Sequence, residues 1–93
     1  MNNPAEILAN ARIALKEGDT GKALKLLDDN SLIENSSAFF LMGEIFYNRQ
    51  EWGRALNSFR RCLELDPTQK AAQSYVDLIL NILGFFHTDQ FNP

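Results

Sequence analysis

The sequence predicts an all-α fold of about five antiparallel helices. Apolar residues recur three or four positions apart through most of the 93 residues, as on one face of a helix. No segment alternates with the two-residue period of a half-buried strand. Residues that favour helix ends separate the apolar stripes, and the short connections predict that successive helices lie side by side. Chains of about 100 residues form one domain, so we expect a single core.

Residues that cap helix ends delimit the first two helices. Asn3 followed by Pro4 predicts the start of the first helix, because Asn can accept a hydrogen bond from a free N–H and Pro has no N–H to satisfy. Gly18 suits the end of that helix, where a left-handed residue is often needed. Asp19 or Thr20 can then cap the second helix.

The remaining boundaries follow from the same chemistry. The polar residues that begin at Asp28 predict an early end of the second helix, and either Asn35 or Ser36 can cap the third. Asp66 and Pro67 repeat the order of cap and proline found at the N-terminus. They therefore predict that a fifth helix follows, which we expect to run from Lys70 to about Phe85.

Composition and charge exclude several classes of protein. The hydrophobic fraction of 45% and the charged fraction of 23% are ordinary for a soluble globular protein. The net charge of −3 argues against nucleic-acid binding, which needs a basic excess or a basic stripe. One cysteine cannot form an internal disulfide. With no recognisable leader and no apolar stretch of about 20 residues, we expect a cytoplasmic protein with no membrane partner.

A 34-residue pattern of aromatic, small and proline positions occupies the centre of the chain, from Ser36 to Gln69. Its defining positions are Phe39-x-x-Met42-Gly43-x-x-Phe46, Ala55-x-x-x-Phe59 and Pro67. This pattern resembles the tetratricopeptide repeat, a helix–turn–helix unit with the signature W-x₂-L-G-x₂-Y…A-x₃-F…P. Phe, Met and Phe stand for Trp, Leu and Tyr. We expect the small residues Gly43 and Ala55 to let the two helix backbones approach closely.

The resemblance implies a short right-handed superhelical solenoid of antiparallel helix hairpins over residues 1–93. It divides the chain into a degenerate first repeat at 4–35, a second repeat at 36–69, a capping helix at 70–86 and a tail at 87–93. The capping helix is expected because the last repeat would otherwise expose an apolar face.

The resemblance also implies a protein–protein interaction module, in which the first helix of each hairpin lines a concave groove. The expected groove residues are Arg12, Lys16, Phe40, Glu44, Tyr47, Asn48, Leu78 and Ile82. Phe40 and Glu44 occupy positions where the family's clamp for a C-terminal carboxylate uses Lys, Arg and Asn. The groove therefore suits a peptide with apolar anchors better than an anionic tail. The alternative is that Phe40 and Tyr47 merely cover neighbouring helices.

No catalytic residue, cofactor or metal ligand is expected. His87 is the only histidine and lies in a polar tail, where nothing orients it as a base. Cys62 falls at a buried small position of the repeat, and apolar surroundings disfavour the reactive thiolate. We therefore interpret the chain as a non-catalytic adaptor or scaffold.

The last helix is apolar on most sides, from Tyr75 to Phe86. A terminal helix with one neighbour cannot bury all of these side chains. Three possibilities remain open: the tail around Phe91 folds back over the helix, a second copy packs there to form a homodimer, or a partner protein binds there.

Overall fold

Five α-helices and one short 3₁₀ helix, with no β-strand, make up the part of the chain that the computed structural model describes, residues 3–84. In chain order the helices are α1 (Pro4–Lys16), α2 (Thr20–Leu27), α3 (Ser36–Asn48), α4 (Trp52–Leu65) and α5 (Lys70–Ile82). The 3₁₀ helix, Asn30–Leu32, lies between α2 and α3. The all-α fold class and the early end of the second helix are thereby confirmed.

Side-chain caps fix the N-termini of α1, α2 and α3. The side-chain oxygens of Asn3, Asp19 and Asn35 each accept a hydrogen bond from the backbone N–H three residues later, at 2.8, 3.0 and 3.0 Å. Each cap contributes about 1 kcal/mol, because it satisfies a donor that has no partner within the helix. Of the alternatives that the sequence left open, Asp19 is chosen over Thr20 and Asn35 over Ser36.

The two helical hairpins, α1–α2 and α3–α4, turn through the same backbone motif. Gly18 (φ 79°) ends the first helix of one hairpin and Gln50 (φ 61°) ends the first helix of the other. In each, the left-handed residue donates to the carbonyl three residues earlier at 3.0 Å, and the next residue donates to the carbonyl five earlier at 2.9 Å. This is the Schellman arrangement, which satisfies carbonyls left free at a helix end. The sequence predicted Gly18 in this place but gave no signal for Gln50.

The fifth helix begins at Lys70, as expected, but Asp66 and Pro67 are not its cap and first residue. Oδ1 of Asp66 accepts bonds from the N–H of Thr68 at 3.1 Å and from its hydroxyl at 2.6 Å, which closes a turn. The Asp66 carboxylate therefore accepts from the second residue after it, whereas a helix cap accepts from the third, and it does not cap α5. The helix ends at Ile82, earlier than the expected end near residue 85, because left-handed Gly84 (φ 83°) follows the last turn.

Two apolar clusters form the core, and α3 contributes to both. The first contains Ile7, Leu8, Ala11, Ala14, Ala23, Leu27, Leu32, Ala38, Leu41 and Ile45. The second contains Ala55, Leu56, Phe59, Cys62, Ala72, Val76 and Ile79. From the opposite side of α3, Phe39, Phe40, Phe46 and Tyr47 pack against the second cluster. One side of α3 therefore packs on the first hairpin, and the other side packs on α4 and α5.

The predicted close approach at Gly43 is present, and an aromatic ring fills the space beside it. A Cβ atom built on Gly43 would lie 2.6–2.8 Å from three ring atoms of Phe59. Such distances are well inside van der Waals contact. Only glycine therefore fits at position 43 while the Phe59 ring keeps its place.

Candidate functional site

One side of α3 carries four of the predicted groove residues. Phe40, Glu44, Tyr47 and Asn48 recur at helical spacing, so they follow one another along the helix. The first three are half-buried and Asn48 is exposed. This side of the helix thus presents apolar and polar groups that neighbouring elements cover only in part.

Tyr75 joins this side of α3 to α4 and α5 through five aromatic rings, which we call the aromatic cluster. The Tyr75 ring stacks on the buried Phe59 ring, with centroids 4.4 Å apart and planes at 7°. Phe40 meets both rings edge-on, at 5.6 and 5.9 Å. Tyr47 meets Tyr75 at 5.0 Å and Trp52 at 5.3 Å, again edge-on. These geometries are favourable for aromatic rings, so Phe40 and Tyr47 contribute to packing as well as to the surface.

A hydrogen bond connects the aromatic cluster to the one acidic residue on this side of α3. The hydroxyl of Tyr75 donates to Oε2 of Glu44 at 3.1 Å. Burial raises the pKa of Tyr75, and the charge and hydrogen bond of Glu44 raise the pKa further, with a smaller contribution from Tyr47. The phenol therefore stays protonated and remains a donor at neutral pH. The sequence pattern indicates Tyr75 only as one of the apolar residues of the last helix; its aromatic ring with a polar tip was the signal for this role.

A pocket of about 220 Å³ lies between the first hairpin and α3. Its lining consists of Leu15, Thr20, Glu44, Ile45 and Asn48. Two of these residues, Glu44 and Asn48, are predicted groove residues. The structure therefore brings a carboxylate and an amide together above apolar side chains.

The predicted basic residues of α1 lie beside this pocket in the sequence but do not line it. Arg12 and Lys16 are exposed and one helical turn apart, and Leu15, which does line the pocket, precedes Lys16. Within residues 3–84 neither Arg12 nor Lys16 forms an ion pair or a side-chain hydrogen bond. Both charges are therefore open to solvent.

The predicted residues of α5 form a separate apolar surface. Leu78 and Ile82 are 49% and 47% exposed, and they lie one 34-residue repeat length after Glu44 and Asn48. The helices α3 and α5 have the same length, 13 residues, and both end at a left-handed residue. The structure thus places Leu78 and Ile82 at positions of α5 equivalent to the polar positions of α3, and outside the pocket.

The family comparison agrees with this repeat geometry. The sequence model described as "Tetratricopeptide repeat" matches residues 36–69, which span α3 and α4. The match covers 34 of the 93 residues, and this part of the chain is similar to one tetratricopeptide repeat. Searches among curated proteins and among solved structures give no significant match. Tetratricopeptide repeats are protein–protein interaction modules and are generally non-catalytic.

Residues considered for chemistry are not arranged as a reactive site. Cys62 is fully buried, and burial raises the pKa of its thiol, with the Asp66 carboxylate adding to this. A thiol in such surroundings is a poor nucleophile. His87 lies outside the described residues. Among residues 3–84 no group of three or more acidic, histidine or cysteine side chains is placed to hold a metal ion. None of the helices described has the length and apolarity needed to cross a membrane.

Proposed function

We propose that this chain is a tetratricopeptide-repeat protein and a non-catalytic adaptor, which binds a peptide or a protein surface in the groove formed by the first helices of its hairpins. The observation that carries the proposal is the pocket of about 220 Å³ in which Glu44 and Asn48 stand over Leu15 and Ile45. Apolar walls with a few convergent polar groups are typical of sites that bury one side chain of a ligand.

The charges around the pocket favour a ligand of mixed character. Arg12 and Lys16 are bases on α1 that form no ion pair with residues 3–84, whereas the exposed Leu78 and Ile82 on α5 offer apolar contact. The bases lie on α1, which precedes α3 in the chain, and the apolar side chains lie on α5, which follows it. A peptide that crosses the first helices in this order would meet bases at one end and apolar side chains at the other. We propose an acidic group and a large apolar side chain at the corresponding ends of the peptide.

The aromatic cluster supports a structural and a binding role for Phe40 and Tyr47. Both side chains are half-buried, so part of each ring remains available to a ligand. Their edge-on contacts with Tyr75 hold the rings in place before a ligand arrives. Such preorganisation lowers the entropy lost on binding.

A random-peptide display library selected on the folded chain tests the proposal. The affinity of the selected peptides is then measured for two charge-reversal variants that change the net charge equally. In the first, Arg12→Glu and Lys16→Glu alter the groove. In the second, Lys22→Glu and Lys25→Glu alter exposed bases of α2. We expect at least a tenfold loss for the groove variant and little change for the control.

An equal loss in both variants would show that the peptides bind by general charge attraction and would refute the groove.

The apolar end is tested by Leu78→Ser with Ile82→Ser, against Ile13→Ser as a control, since Ile13 is also about half exposed. Unchanged affinity in the α5 variant would contradict the orientation proposed for the peptide.

A homodimer through α5 is the second candidate, favoured by one observation. Leu83 is 42% exposed and extends the apolar surface of Leu78 and Ile82 by another residue. Burial of such a surface against its own copy would remove apolar area from water. Light scattering over a wide concentration range tests it: a dimer that becomes a monomer in Leu78→Asp/Ile82→Asp supports the candidate, and a monomer near 10.6 kDa at all concentrations contradicts it.

A further inference from the structure

The second helix of the first hairpin is much shorter than the second helix of the second hairpin. Both helices begin directly after the same turn, but α4 has 14 residues and α2 has 8. Where α4 continues for its last turns, the chain after Leu27 leaves the helix and forms the 3₁₀ helix Asn30–Leu32. The last turns of α4 pack against α5, and Cys62 in these turns is fully buried.

The short α2 leaves an opening of about 240 Å³ against α3, which we call the notch. Leu27 and Leu32, both 2% exposed, form its floor, and the half-buried Phe39 and Met42 of α3 form its wall. Ile33 stands at its edge with 65% of its surface exposed, more than any other large apolar residue within residues 3–84. The notch shares no lining residue with the pocket that holds Glu44 and Asn48.

The edge of the notch is acidic. Asp28 and Asp29 line it, Glu34 follows directly after Ile33, and no basic residue occurs between positions 28 and 34. Oδ1 of Asp29 accepts bonds from the N–H and the hydroxyl of Ser31 at 2.9 and 2.7 Å. These bonds lower the pKa of Asp29, so its carboxylate stays ionised. The Asp28 side chain forms no hydrogen bond or ion pair with any residue from 3 to 84.

One base approaches the wall of the notch, and its charge is already balanced. The guanidinium of Arg61 lies 5.8 Å from the centre of the Phe39 ring. It is paired with Glu64, with Nη1 and Oε1 2.9 Å apart. The acidic edge therefore keeps its net negative character beside an apolar floor.

We infer that the notch is a second docking site, which takes a partner segment with one large apolar side chain, Leu or Phe, flanked by Lys or Arg. The apolar side chain enters between Ile33 and Met42, and the flanking bases meet Asp28 and Asp29. Charge complementarity selects this occupant over an acidic segment. The site is independent of the groove, so one chain can hold two partner segments at once.

The probe is a pair of acetylated and amidated decapeptide pools. Each peptide has a central Leu or Phe; one pool has Lys or Arg on both sides of it and the other has Asp or Glu. Each pool is titrated to millimolar concentration into the full ¹⁵N-labelled chain while amide signals are followed by NMR. We expect the basic pool to shift the signals of Leu27 to Ile33 and of Met42, and the acidic pool to leave them in place.

Two variants test the contacts, and the first has a matched control. Ile33→Ser is expected to weaken binding about tenfold, whereas Ile13→Ser, at another exposed isoleucine (53%), leaves it unchanged. Asp28→Lys is expected to weaken binding of the basic pool about threefold, the usual effect of an exposed charge. Asp28 is chosen because the side chain of Asp29 accepts the hydrogen bonds from Ser31 that close the turn. Melting temperatures establish that each variant is folded.

Other outcomes overturn the inference. No shift with the basic pool, equal shifts with both pools, or wild-type affinity of Ile33→Ser would each do so. Shifts confined to Glu44, Asn48 and α5 would place the basic peptide in the groove and leave the notch without a ligand. Notch signals that move with protein concentration alone would assign the notch to a second copy. Notch signals that move on deletion of residues 85–93 would assign it to that segment.

Discussion

Replacing Gly43 by alanine tests the packing at the centre of the repeat. The added Cβ would lie 2.6 Å from Cε1, 2.7 Å from Cζ and 2.8 Å from Cδ1 of Phe59. Because comfortable carbon–carbon contacts begin near 3.5 Å, the ring or the helix has to move by about 1 Å. The Phe59 ring has no room to move, because it is fully buried and the Tyr75 ring stacks on it with the two centroids 4.4 Å apart.

The size of the effect follows from two opposing contributions. Overpacking a core costs about 1–3 kcal/mol, and three simultaneous contacts place Gly43→Ala near the upper value. Alanine favours a helix over glycine by about 1 kcal/mol, which offsets part of the loss. We therefore expect the free energy of unfolding to fall by about 2 kcal/mol and the melting temperature by about 10 °C, given a shift of about 4–8 °C per kcal/mol in a domain of this size.

Gly53→Ala is the matched control. A Cβ at Gly53 meets no atom within 4 Å, and this residue also lies in a helix, α4. Its replacement should raise the free energy of unfolding by about 0.5 kcal/mol. Urea and thermal unfolding followed by circular dichroism measure both variants. A Gly43→Ala chain as stable as wild type would refute the close approach, and a Phe59→Leu change that fails to relieve Gly43→Ala would show that the ring is not the cause.

Three other substitutions are expected to change stability in defined directions. Gln50→Gly should raise the free energy of unfolding by about 1 kcal/mol in urea titrations, because a residue with a side chain is strained at φ 61°; a loss would contradict this. Phe40→Ala should lower the melting temperature by about 10 °C through lost ring contacts with Phe59 and Tyr75, and a change below about 2 °C would show a purely surface role. The raised pKa of Tyr75 means that the folded state holds its proton more tightly than the unfolded state does. Its contribution is therefore present below the ordinary value of 10.0 and is lost as the pH rises above it; unfolding titrations from pH 8 to 11 should show a smaller loss in Tyr75→Phe than in wild type.

The helices and most of their ends could be predicted because local chemistry determines them. Asn3, Asp19 and Asn35 cap helices through their own neighbours, so the sequence identifies each as a candidate cap and leaves only the choice between adjacent residues open. The role of Asp66 before α5 could not be predicted in this way. The carboxylate of Asp66 has two local choices, and the hydroxyl of Thr68 decides between them.

The candidate groove was less predictable than the fold, because its geometry depends on contacts between distant parts of the chain. The spacing of Phe40 and Glu44 indicates one side of a helix but not that Tyr75 reaches both. The notch was not predicted at all. The notch exists because α2 ends at Leu27, about two turns earlier than α4 does at the equivalent place. A sequence pattern indicates where a helix ends, but it does not indicate the space that the missing turns leave open.

The position of α3 has a consequence for how the chain unfolds. Ala38, Leu41 and Ile45 are buried against the first hairpin, while the aromatic residues of the same helix pack on α4 and α5. Loss of the first hairpin, or of α4 and α5, would leave one side of α3 without cover, and a helix of 13 residues is marginal on its own. We therefore expect the two hairpins to unfold together as one cooperative unit, despite the repeat pattern of the sequence.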